Sequence, residues 1–101
     1  MHPERIEIRV AGELRPLMPR FIANRNADVL QLEAALEQGD HERARQIGHV
    51  LKGAGGGYGL AEISRIGDAI ECAAKASEFD TLKRQIQALK HFLECLHIVY
   101  E

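Results

Sequence analysis

The chain has 101 residues, 46% apolar, 5% aromatic and 28% charged, with a net charge of −2 and no tryptophan. This is the length of one domain with one aliphatic core, and the mildly acidic balance gives no basic surplus for nucleic acid or anionic lipid. No apolar run approaches the roughly 20 residues of a membrane helix, and no secretory signal is visible, so a cytoplasmic chain is expected.

Residues 1–12 read as a short N-terminal arm and 13–101 as a helical bundle. Ile6, Ile8 and Val10 alternate with Glu7 and Arg9, a period of two. One such run cannot make a sheet alone. An extended arm is expected, or a segment laid against the bundle, with His2 in solvent. The first long helix starts near Pro16 or Leu17, because proline is tolerated in the first turn but not deeper. Met18, Ile22, Val29, Leu32 and Leu36 share one side, flanked by Phe21 and Ala35. Arg25 intrudes on that stripe and either snorkels to water or pairs with Asp28 at i+3.

Gly39-Asp40 is a tight link, which makes the next helix an antiparallel neighbour. Asp40 is a suitable N-cap, since its carboxylate accepts from the free N–H groups of the first turn. The second helix then runs from about His41 to about Gly55, where glycines dissolve it. At about 100° per residue, Ala44, Ile47, Leu51 and Ala54 form its buried stripe, and His49 falls about 170° away. Arg45, Lys52, Gly53 and Gly56 share the histidine's side. An outward neutral imidazole keeps a nucleophilic nitrogen near pH 7. Lys52 at i+3 reaches an anion built on that nitrogen, and Gly53 and Gly56 leave room for a bulky donor. A lone surface histidine would carry no such argument; the coincidence of cation and glycines on one non-core face does.

Tyr58 resumes the apolar pattern and packs at the bundle end, or turns its hydroxyl to the histidine patch. The third helix covers Leu60 to Ala76, with Leu60, Ile63, Ile66, Ile70 and Ala73 or Ala74 inward. Gly67 within it is unfavourable unless it admits a close neighbour, which points to the His49 helix. Ser77-Glu78-Phe79-Asp80 has the form of a capping box with Asp in place of Glu. The last helix runs from about Glu78 to about Val99, with Phe79, Leu82, Ile86, Leu89, Leu93 and Leu96 inward and Phe92 to one side. Cys72 and Cys95 read as buried or half-buried thiols in a reducing compartment. His91 and Cys95 lie at i,i+4, but without two further ligands no metal site is expected. The apolar stripes are all needed inside, so the chain reads as a monomer.

The stretch His49-x-x-Lys52-Gly53-x-x-x-x-x-Gly59, followed by Leu60, Ile63 and Ile66, resembles the histidine phosphotransfer (HPt) domain family. Leu36-x-x-Gly39-Asp40 and Ile66-x-x-Ala69-Ile70-Glu71 fit the same pattern, so the similarity runs roughly from Leu17 to Leu96. It implies an all-α fold, an antiparallel four-helix bundle. It further implies that the chain is a phosphocarrier rather than an enzyme. His49 would accept a phosphoryl group from a receiver-domain aspartate and pass it to another receiver. Lys52 would be the phosphate-stabilising cation and Gly53 the clearance position. By their place beside His49 rather than by the resemblance, Gly56 adds clearance, and Arg45 and Tyr58 are candidates for the docking rim. The implied partners are response-regulator receiver domains and a hybrid histidine kinase. The receiver would bring Mg²⁺, with no cofactor bound by this chain. Ala54-Gly55-Gly56-Gly57 departs from the commonest family pattern, where small residues such as serine are frequent. A rival reading is a binding-only module that docks on a receiver or kinase without taking phosphate. The third reading, a helical scaffold or metal-binding bundle, would bury His49 or place it within about 5 Å of other ligand-type side chains, and a His49 open to water would remove it.

Overall fold

A computed structural model describes residues 5–101. His2 and the rest of residues 1–4 lie outside the described residues. In order, the chain forms strand β1 (Ile6–Val10), a 3₁₀ stretch (Gly12–Leu17), helices α1 (Met18–Gln38) and α2 (His41–Ala54), and a 3₁₀ turn (Gly56–Tyr58). Helices α3 (Ala61–Lys75) and α4 (Phe79–Cys95) and strand β2 (Leu96–Tyr100) complete it. Helix α1 packs on α2 and α4, and α3 packs on the same two, so the four close into a bundle.

The helix ends follow from a few residues. Pro16 lies in the 3₁₀ stretch and Pro19 in the first turn of α1, where a missing N–H breaks no helical bond. Gly39 takes a left-handed φ of 69°. Its N–H donates to the Leu36 carbonyl at 3.2 Å, and that of Asp40 to Ala35 at 2.8 Å, which closes α1. Asp40 then opens α2, its carboxylate accepting from the Arg43 N–H at 3.0 Å. Two residues thus stop one helix and start the next. The expected capping box at Ser77 does not form. Ser77 is instead spent on ending α3: at φ 55° its N–H donates to Ala74, and that of Glu78 to Ala73. Glu78 becomes the N-cap of α4 and makes no side-chain cap bond.

The core is aliphatic and matches most of the expected stripes. Met18, Leu32, Leu51, Leu60, Ile63, Ile66, Ile70, Leu82, Ile86 and Leu89 are all fully buried. Phe79 and Phe92 exchange roles. Phe79 opens the first turn of α4 and is 49% exposed, whereas Phe92 is buried. Cys95 is half-buried as expected, but Cys72 is exposed. Helix α4 stops at Cys95 rather than Val99, because Ile98, Val99 and Tyr100 are strand formers with a strand to pair with. That partner is the arm. β1 runs parallel to β2 with Ile6 opposite Leu96 and Val10 opposite Tyr100, the whole bundle serving as the crossover. Val10 is buried, and the Arg15 guanidinium lies 4.2 Å from the centre of the Tyr100 ring.

The site is positioned by the α2–α3 seam. Besides Ala44 and Leu51, α2 buries Gly48, and Gly55 is buried just past its end. A Cβ on Gly48 would stand 2.7 Å from the Glu71 N, and one on Gly67 would stand 2.5 Å from the Lys52 N. One on Gly55 would meet the Leu60 carbonyl oxygen and the Ser64 N at 2.8 Å. Backbone therefore lies on backbone along this seam, as Gly67 alone had suggested. Ile47 and Ala54, expected at the centre of the stripe, are half-buried at its edge.

Candidate functional site

The close seam brings one face of α3 up to the outward face of α2. The His49 side chain is 69% exposed, which removes the scaffold reading that required a buried ring. Its Nδ1 lies 3.1 Å from Oε2 of Glu71. Glu71 is the one buried charged side chain among the described residues, 7% exposed, and its carboxylate also faces Lys75 at 3.7 Å and Lys52 at 3.9 Å. A carboxylate can only accept, so Nδ1 carries the proton, and in the neutral ring Nε2 then keeps the lone pair. The chain thus holds an exposed imidazole by one nitrogen.

Lys52 lies on the same face as His49, one turn on. Its ammonium contacts Asp68 Oδ1 at 3.2 Å, with both side chains about half exposed. Hydrogen bonding and charge from Asp68, then charge from Glu71, raise the lysine's pKa above its usual value, so it stays cationic at any ordinary pH. Gly53 and Gly56 meet nothing within 4 Å of where a Cβ would stand, and neither does Gly57. The Gly56 N–H donates to the Ser64 hydroxyl at 3.1 Å, which ties the glycine turn to α3.

Arg45 is bound by its own helix, at 2.9 and 2.6 Å from the two oxygens of Glu42. That hydrogen-bonded guanidinium pushes the Glu42 carboxyl down to about 2. Tyr58 stacks on Phe21 with ring centroids 4.1 Å apart, and Arg25 lies 4.8 Å from the same Phe21 ring while pairing with Asp28 at 2.8 Å. Tyr58 is therefore half-buried packing between the glycine turn and α1, as expected of a bundle-end residue. Beside His49, Val50 is 58% exposed and, with Ile47 and Gln46, lines a shallow groove between α1 and α2.

Sequence reasoning missed two members of the patch, Glu71 and Asp68. Glu71 appears in the Ala69-Ile70-Glu71 pattern without a role. The signal was available: it sits four residues after Gly67 and three before Ala74, a carboxylate on a face of small residues that must pack closely. Among the described residues, no group of three or more His, Cys, Asp and Glu side chains is placed to hold a metal. His91 and Cys95 do meet each other on α4, Sγ to Nε2 at 3.6 Å. No helix among the described residues is long and apolar enough to cross a membrane.

The arrangement can accept an electrophilic, negatively charged group: a held ring, a free Nε2, a neighbouring ammonium and open ground for the donor. The Hpt domain family model matches residues 17–97. Neither a curated protein nor a solved structure matches the chain.

Proposed function

The chain belongs to the Hpt domain family, and from that premise we propose that it is a phosphorelay carrier in which His49 takes a phosphoryl group from a receiver-domain aspartate and passes it to another receiver. The Nε2 lone pair attacks the phosphorus of the aspartyl phosphate. The N–P bond forms as the P–O bond to the aspartate breaks, and the carboxylate leaves with the electron pair. Nδ1 keeps its proton, donated in a hydrogen bond to Glu71, throughout, so the attack needs no base. Glu71 orients the ring and balances positive charge that builds on it. Lys52 offsets charge on the incoming phosphoryl oxygens. Passing the group on is the same step in reverse.

The receiver brings the Mg²⁺ and most of the transition-state stabilisation, so this chain is a carrier rather than the catalyst. Partners are receiver domains, and a hybrid histidine kinase fits upstream. The carrier works as a cytoplasmic monomer. Docking uses the exposed ground around His49, with Gly53 and Gly56 for clearance, Val50 as an apolar contact, and Arg45 and Tyr58 at the rim.

The single observation supporting this reading is the contact of a 69% exposed His49 with a buried carboxylate through Nδ1 alone. The test is incubation with a receiver carrying labelled aspartyl phosphate. The chain should acquire an acid-labile, base-stable label that His49→Gln abolishes. A label that survives His49→Gln contradicts the assignment. Receiver binding without any label would favour the binding-only module.

A further inference from the structure

Lys52 sits between two carboxylates of α3, and the nearer one is not the histidine's partner. Its ammonium is 3.2 Å from Asp68 and 3.9 Å from Glu71. The residue expected to serve the phosphoryl group is thus already engaged, one helical turn from His49 and on the edge of the patch. We propose that Asp68 is a positioning residue that withholds Lys52 from His49 in the unphosphorylated chain, so that phosphohistidine forms in competition with the Lys52–Asp68 pair and gives its phosphoryl group up readily. This inference rests on the carrier reading above.

One observation and two physical arguments carry it. Both partners are about half exposed, at 53% and 51%, so the flexible lysine stem has room to swing. An exposed ion pair of this kind is weak, which makes it exchangeable rather than locked. A phosphoryl group on Nε2 concentrates more negative charge than one carboxylate and lies on the lysine's own helix face at i−3, so it competes well for the ammonium. The other cations of the patch are no substitute. Arg45 is held in two hydrogen bonds by Glu42, and Lys75 faces Glu71. Asp68 therefore sets how firmly His49 holds the group. It weakens the phosphorylated state and favours a carrier that both loads and unloads.

The experiment measures the equilibrium partition of labelled phosphoryl groups between a receiver and the intact chain. Asp68→Asn should shift the partition toward phosphohistidine by about two- to fivefold, the span of an exposed ion pair. Lys52→Ala should shift it the other way. In a Lys52→Ala background, Asp68→Asn should have no further effect, because its influence runs through the lysine. No shift in Asp68→Asn alone, or an equal shift with and without Lys52, overturns the proposal; the latter would mean that Asp68 acts only as a general negative charge. The unmodified chain separates the two levels. If it takes no His49-dependent label, the carrier reading fails, and this inference with it. If it labels normally while Asp68→Asn is silent, only the inference fails.

Discussion

A free imidazole in water shares its proton between two nitrogens. At His49 the Glu71 carboxylate, 3.1 Å from Nδ1, decides the matter for the ring. Glu71→Ala should return His49 to the tautomer mixture of a solvated histidine, visible in its ring ¹⁵N shifts. Receiver-dependent labelling should slow by about tenfold or more, in line with losing the partner that orients a reactive histidine. Unchanged ¹⁵N shifts would show that the contact does not control the ring. Much of this patch was legible in the sequence. His49, Lys52 and Gly53 face outward by helical period alone, because an exposed face needs no knowledge of its neighbours. Glu71 was not legible in the same way. Its role depends on how near α3 comes to α2, and a projection of one helix does not contain that distance.

That distance is an element-scale property, fixed by Gly48, Gly55 and Gly67. Gly67→Ala places a Cβ 2.5 Å from the Lys52 N, where main chain must shift rather than a side chain turn. Stability should fall by about 1–3 kcal/mol, read from the urea midpoint. His49 labelling should slow as well, since the seam that brings Glu71 to His49 opens. A Gly67→Ala chain with wild-type stability and labelling would contradict the seam's role. Gly67 could be read as a close-contact residue because it interrupts a strong helical pattern. Gly48 draws no reading from the sequence, and Gly55 reads as a helix stop. The Ser77 turn misled for a related reason. The same serine can open one helix or close the one before it, and only the backbone shows that its left-handed conformation closes α3.

At the scale of the whole molecule, the two ends of the described chain hold each other. Ile6, Ile8, Leu96, Ile98 and Tyr100 pack on the core around the buried Val10, whose side chain also comes 3.9 Å from where a Cβ on Gly59 would stand, at the end of the α2–α3 link. A two-stranded ribbon is marginal by itself in water, so this packing is what holds it. Val10→Ala should lower the unfolding free energy by about 2 kcal/mol, from lost burial and the cavity left behind, and urea unfolding would show it. An unchanged midpoint would mean that the ribbon is only laid on the bundle. The period of two in the arm was plain from sequence. Its partner was not, because Leu96 also falls on the helical stripe of α4, and a parallel strand at the far end of the chain leaves no local trace.

The most direct measurement is the identity of the phosphorylated ring nitrogen after transfer from a receiver, read by ³¹P and ¹⁵N NMR. Phosphorus on Nε2 of His49, with the Nδ1 proton retained, is the predicted result. Phosphorus on Nδ1, or on any other residue, would contradict a ring held by Glu71 and presented through its opposite nitrogen.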